Sequence, residues 1–230
     1  MKLSDRLESI CDYIAYDYLA DIGTDHGYVP IYATTEKISK RAIACDINEG
    51  PLLRAQDNID KYGAKDFCEV RLSDGLSNIK PNEVDTIIIT GMGGLLIRDI
   101  LSKGIDVVKE AKQLILSPQG DGDRVRHFLD ENNFVIVREK VVKDEGKYYN
   151  IIDARNFNIF ADKKYMFSGS ILGNPDKTFI GFLDKKIKTC DEIIANVENS
   201  ENGEELIMIN RKNKEFYMYC KNIAKSCLNK

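Results

Sequence analysis

Residues 134–154 read FVIVREKVVKDEGKYYNIIDA: two extended apolar runs, Phe134 to Val142 and Tyr148 to Ala154, joined only by Lys143-Asp144-Glu145-Gly146-Lys147. Five turn-forming residues cannot hold a crossover helix, so the pair is expected to be an antiparallel hairpin. Upstream the pattern differs. Tyr18–Gly23, Ala42–Ile47, Phe67–Leu72, Thr86–Thr90 and Gln113–Ser117 are short, nearly continuous apolar runs, the character of strands buried on both faces. Helical spacing appears near 29–38, 51–62, 94–103 and 122–132, and Leu3, Leu7, Ile10, Cys11 and Ile14 predict an amphipathic helix before the first strand. Alternating β and α predicts an α/β chain with a parallel, doubly wound sheet. The hairpin then closes that sheet.

The 230 residues, 43% hydrophobic and 30% charged, suffice for one large α/β core and a small appendage. No apolar run approaches the length of a spanning helix, so no membrane partner is expected. The start, Met1-Lys2-Leu3-Ser4-Asp5-Arg6, has no apolar segment behind it, and no secretory signal is expected. Cys11, Cys45, Cys68, Cys190, Cys220 and Cys227 never form C-x-x-C. They read as buried thiols in a reducing compartment, with no metal site, and a cytoplasmic location is expected.

The tail is a different electrostatic object. Residues 1–154 hold 20 Lys/Arg against 27 Asp/Glu, and residues 155–230 hold 13 against 10. After the break at Gly173-Asn174-Pro175, Ile180, Leu183, Ile187, Cys190, Ile194 and Val197 step by three and four. Leu206, Ile209, Asn213, Phe216, Cys220, Ile223 and Cys227 repeat the stepping. These are coiled-coil-like stripes, and the short polar link from Glu198 to Gly203 predicts an antiparallel helical hairpin with arms of ~30 Å. It is open whether the hairpin packs as extra core or projects toward a partner. The expected domains are 1–156 and 157–230.

The stretch richest in chemistry is Asp21-Ile22-Gly23-Thr24-Asp25-His26-Gly27-Tyr28-Val29-Pro30, which leaves the first strand and opens a helix. Gly23 and Gly27 permit a tight turn and close approach of a ligand. The position two after Gly23 is Asp25, and a carboxylate there would repel a dinucleotide pyrophosphate at the helix N-terminus. It suits a ligand with a positive centre and no phosphate, such as S-adenosylmethionine. Asp21 adds a second negative charge. Asp46, ending the second strand, is placed to accept hydrogen bonds from ribose hydroxyls. Asp74-Gly75 is either a plain turn or the holder of an adenine. Gly91-Met92-Gly93-Gly94 brings bare backbone to the edge of the sheet. Arg98 could meet a phosphate, and Gln119 of Ser117-Pro118-Gln119 shares the rim. His26 is a structural or catalytic histidine, and Tyr28 packs over the loop or stacks on a planar substrate. A parallel sheet closed by one antiparallel hairpin is the Rossmann-like arrangement of class I methyltransferases, whereas dinucleotide dehydrogenases end in further parallel units.

Asp21 to Pro30, Asp74-Gly75-Leu76, Gly91 to Gly94 and the heptad tail together resemble the bacterial tRNA adenine-22 N1-methyltransferase family. The resemblance implies tRNA as partner and S-adenosylmethionine as methyl donor, leaving as S-adenosylhomocysteine. It implies a donor site of Asp21, Gly23, Gly27, Asp46, Asp74, Gly75, Gly91, Met92 and Gly93. Tyr28, Asp25 and His26 would serve the acceptor base, and Gly94, Arg98 and Gln119 would bind substrate. One departure stands out: the family pattern ends the fifth strand Gln-Pro-Asn, which leaves open the role of Gln119 here. Candidate phosphate contacts are Lys40, Arg41, Arg98, Arg124 and Arg126 around the rim, and Lys185, Lys186, Lys188, Arg211, Lys212 and Lys214 on the tail. Two other readings are a methyltransferase for a small molecule, which needs no tail, and a non-catalytic RNA-binding protein, which leaves the acidic glycine loop unexplained. An oligomeric partner is not indicated.

Overall fold

The computed structural model describes residues 1–164, 166–197 and 203–228. They form two compact units, Met1–Ala161 and Asp162–Lys230. Among the described residues, no helix is long and apolar enough to cross a membrane.

The first unit is built on one sheet of strands β1 (Tyr18–Ile22), β2 (Arg41–Asp46), β3 (Cys68–Leu72), β4 (Thr86–Met92), β5 (Gln113–Pro118), β6 (Phe134–Asp144) and β7 (Lys147–Asn156). Their order is β3-β2-β1-β4-β5-β7-β6. The first five are parallel, and β7 runs antiparallel to both β5 and β6. The direction of winding reverses between β1 and β4, and ligands of open α/β sheets bind beyond the carboxyl ends of strands at such a point. Ile87, Ile88, Ile89, Leu114, Ile115 and Leu116 are fully buried, as strands covered on both faces require.

Helices α2 (Tyr28–Thr35), α3 (Glu49–Lys61), α4 (Gly94–Lys103) and α6 (Gly122–Glu131) fall where the periodicity predicts them. The first helix, α1 (Asp5–Cys11), is shorter than its apolar stripe, because the Ser4 hydroxyl caps its start and the helix stops at Asp12. The additional helix α5 (Ile105–Glu110) is too short to show a period. The hairpin turn is also tighter than the sequence suggests: Lys143, Asp144 and Lys147 join the ladder. Only Glu145 and Gly146 remain in the turn, both with positive φ, the backbone that matches the twist of a two-residue hairpin.

A 3₁₀ turn (Asn158–Lys163) spans the boundary, and in the second unit a short helix α7 (Gly169–Gly173) precedes α8 (Lys177–Val197) and α9 (Gly203–Leu228). Ion pairs Lys214–Asp191 and Lys221–Asp184 show the two long helices running antiparallel. Of the expected link from Glu198 to Gly203, residues 198–202 lie outside the described residues, and Gly203 opens α9. Leu183, Cys190, Phe216, Cys220 and Ile223 are buried as the heptads predict, but Leu206 and Ile209 are exposed. At that end Gly203 and Asn210 are buried instead, with the Asn210 amide donating to the Leu206 carbonyl at 2.9 Å. An intrahelical hydrogen bond makes burial of that asparagine tolerable.

Candidate active site

The carboxyl ends of β1 to β4 open into a cavity of about 570 Å³. Gly23 from the β1 turn, Asp46 from β2, Asp74 and Gly75 from the turn after β3, and Met92 from the end of β4 all line it. Five of the residues singled out in the sequence, spread over 70 positions, are thus brought to one wall by parallel pairing. Helices α4 and α5 supply the opposite side through Leu96, Asp99, Ile100, Lys103 and Asp106, which sequence reasoning missed. The lining thus holds four carboxylates and one ammonium group, with Asp99 already paired to Arg98 at 2.7 Å. Leu95 and Leu96 are both exposed on α4, and nothing in the sequence marked the lining residues of α4 and α5 as part of a site.

The glycines have separate physical reasons. Gly23 has φ 76°, and a Cβ there would fall 2.0 Å from Met92 Cε, so its bareness lets the thioether lie across the turn. Gly91 has φ 77° with open space around it. A Cβ on Gly94 would lie 2.4 Å from the Asp121 carbonyl oxygen, and its N–H donates to the Gly120 carbonyl at 3.2 Å. Its missing side chain makes room for the β5–α6 turn. Gly93 caps α4.

Asp21 sits in the interior strand β1, opposite Ala44 of β2 and Ile88 of β4, and is nearly fully buried. Burial pushes its carboxyl up to about 6, because a charge without water is costly. Asp46 closes a local turn, accepting the Asn48 N–H at 2.8 Å. Ser73 organises the next turn: its hydroxyl donates to the Gly75 carbonyl at 2.8 Å and accepts the Asn78 N–H at 3.1 Å.

The loop between β1 and α2 is held from α3. His26 and Gly27 both adopt left-handed backbone conformations, with φ 64° and 67°. The Asn58 amide donates to the His26 carbonyl at 3.0 Å. Arg54 pairs with Asp25 at 3.1 Å, and His26 Nε2 lies 3.4 Å from the same carboxylate. A Cβ at Gly27 would meet Ala55 at 3.1 Å. The His26 and Tyr28 rings stack at 5.3 Å, 11° from parallel. The result is a preformed, half-exposed aromatic pair at the start of α2. Asn58 and Arg54 gave no signal in the sequence, being 32 and 29 residues from the loop groups they hold.

The proposed phosphate contacts fare differently. Lys40 and Arg41 lie at the amino end of β2, on the edge opposite the cavity, so they do not belong to its rim. Arg98 is paired with Asp99, Arg124 with Asp123 and Arg126 with Glu139. On the tail Lys188, Lys212 and Lys214 likewise face acids. Gln119 is exposed, and its N–H donates to the Met92 carbonyl at 2.8 Å.

Comparison with known proteins agrees with this geometry. A methyltransferase-domain family model matches residues 3–152. A Bacillus subtilis protein described as tRNA (adenine(22)-N(1))-methyltransferase is 38% identical over 155 residues, 67% of this chain and 65% of that protein. The matched region thus spans a little under two thirds of that relative. The crystal structure of the B. subtilis M1A22 tRNA methyltransferase TrmK superposes with a TM-score of 0.65 at 27% identity, covering 98% of each chain. M. capricolum TrmK, solved with S-adenosyl-homocysteine, superposes with a TM-score of 0.64 at 26% identity, covering 95% of this chain and 99% of that one. With the sheet order, the acidic cavity at its carboxyl edge and the family match over the same residues in agreement, the chain belongs to the methyltransferase-domain family.

Proposed function

We propose that this chain transfers a methyl group from S-adenosylmethionine to N1 of adenine 22 in the D-loop of tRNA. The observation that carries the reading is the cavity lined by Asp46, Asp74 and Asp106 against one Lys103, with a fourth carboxylate, Asp99, paired to Arg98. Such a lining disfavours a pyrophosphate and suits a cationic ligand bearing ribose hydroxyls. The relatives' descriptions as adenine-22 N1 enzymes of tRNA support the acceptor half.

S-Adenosylmethionine supplies an electrophilic methyl on a sulfonium. Asp21 and Gly23 shape the methionine end, Gly27 keeps the loop close to α3, and Asp46 accepts from the ribose. Asp74 and Gly75 border the adenine, while Gly91, Met92 and Gly93 form the edge facing the transferred group. Tyr28, backed by His26, stacks the extruded acceptor base, and Asp25 or His26 meets its amino group or steadies the cation that forms. Gly94, Arg98 and Gln119 belong to the substrate rim. N1 of neutral adenine already carries a lone pair, so no proton must leave during transfer and no general base is obligatory. Positioning then dominates, an effect worth ~7–11 kcal/mol in well-oriented reactions.

Residues 1–156 carry this chemistry and residues 157–230 contact RNA. The protein works in the cytoplasm, where tRNA is. Extruding the base costs a few kcal/mol, and binding through phosphates falls with salt. The test is transfer of labelled methyl from S-adenosylmethionine into unmodified bacterial tRNA, with mapping of the modified position. Label at N1 of adenine 22 is expected. Donor binding with no incorporation into tRNA would overturn the acceptor assignment and favour a small-molecule acceptor.

A further inference from the structure

The β6–β7 hairpin continues past the end of the strand it pairs with. The ladder sets Leu116 of β5 opposite Ile152 of β7, which by continuation places Pro118, the last residue of β5, opposite Asn150. Residues 147–149 and the Glu145-Gly146 turn therefore stand beyond the carboxyl edge of the sheet, an overhang of ~10 Å for the three strand residues. That edge carries the cavity and the Gly91–Gly93 turn. β7 is two strands from β4, a lateral offset of ~10 Å.

The two faces of the overhang are unlike. On one, Arg6 of α1 sits 4.7 Å over the Tyr149 ring and pairs with Asp144, so that face is covered. On the other, Lys143 stands directly across the ladder from Tyr148, and Val141 from Asn150. Tyr148 is 72% exposed and Val141 66% exposed, with the Lys143 ammonium 5.7 Å from the Tyr148 ring. Lower on this face Glu139 is already neutralised by Arg126. An aromatic ring and a cation, open to water at the catalytic edge, match a nucleobase and its phosphate: bases stack on aromatic faces whatever their identity, and cations follow the backbone.

We infer that the Val141–Lys143–Tyr148 face is a ledge for tRNA, on which Tyr148 stacks an unpaired base near the target and Lys143 meets a flanking phosphate. The inference rests on the tRNA reading above and adds a surface to it. Any folded RNA that delivers a base to Gly91–Gly93 is broader than two strand spacings, so it passes over one flank of the site, and on the β5 side that flank is this hairpin. Both side chains point away from the core, so their replacement leaves the fold intact.

The experiment compares wild type, Tyr148→Ala, Tyr148→Phe and Lys143→Gln. It measures tRNA affinity over a salt series, donor affinity by calorimetry, methyl incorporation, and mass in solution. Tyr148→Ala is expected to weaken tRNA binding on the order of ten-fold, the loss of one base–aromatic stack. Tyr148→Phe should restore most of it, donor affinity should hold, and Lys143→Gln should lower the salt slope by about one. Normal tRNA affinity in Tyr148→Ala, with wild type methylating tRNA, overturns the ledge alone. Absence of tRNA methylation by wild type overturns the function and the ledge together. A change in mass in solution without a change in tRNA affinity overturns the ledge in favour of self-association.

Discussion

Replacing Asp21 by asparagine should stabilise the protein and harm donor binding, and the two effects should separate with pH. The Asp21 carboxyl rises from 3.8 to about 6, chiefly through burial. At ~1.4 kcal/mol per pH decade this amounts to about 3 kcal/mol. The direction follows from proton binding. The folded state holds this proton more tightly than the unfolded chain, so the contribution is fully present below pH 3.8 and is lost as pH rises through about 6. At pH 7.5 wild type therefore carries a buried charge that the amide variant would lack. Asp21→Asn should then be more stable by roughly 2–3 kcal/mol at pH 7.5, about 4–10 °C in Tm, and no more stable than wild type near pH 4. The same charge suits a cationic donor. Donor affinity of wild type should climb between pH 5 and 7 as the carboxylate forms, whereas that of Asp21→Asn should be weak and flat. The assays are thermal unfolding and calorimetric titration with S-adenosylmethionine at matched pH. A variant less stable than wild type at pH 7.5, or a stability difference that does not change with pH, would refute the reasoning.

Three further outcomes are expected. Tyr28→Ala should abolish methyl transfer while leaving donor affinity within about two-fold, since the ring serves the acceptor; unchanged turnover would sink that role. Gly94→Ala drives a methyl group to 2.4 Å from the Asp121 carbonyl oxygen, and should cost ~1–3 kcal/mol by overpacking; a Tm within a degree of wild type would show that the β5–α6 turn yields freely. Asp153→Ala removes a fully buried carboxylate that receives Arg138 at 2.7 Å, Arg155 at 3.0 Å and Gln113 at 2.7 Å. Its loss should cost ~3–5 kcal/mol, measured by denaturant unfolding, and a loss below 1 kcal/mol would mean that water replaces the carboxylate.

Much of the molecule was legible before any coordinates, wherever the information is local. Runs such as Thr86–Thr90 and Gln113–Ser117 announce strands covered on both faces, since only such strands dispense with polar alternation. The short link after Val142 excludes a crossover and so dictates an antiparallel end to the sheet. The loop from Asp21 to Tyr28 shows its acidic character directly, and Leu183, Cys190, Phe216 and Cys220 reveal the stripe that pairs α8 with α9.

Other features depend on which segments meet. Gly91 and Gly94 look alike in sequence, yet one borders open space and the other touches the Gly120 and Asp121 carbonyls. Lys40 and Arg41 read as rim residues until the strand direction places them at the amino edge. Arg54 and Asn58 seem ordinary helix-surface residues, and only the packing of α3 beside the loop makes them its tethers. The burial that raises Asp21 comes from strands β2 and β4 on either side of it. Periodicity and turn chemistry are read along the chain, so sequence determined the elements and the chemical character of each loop. Solvation, close packing and charge pairing act between segments distant in the chain, so only the tertiary structure decided which of those groups form one site.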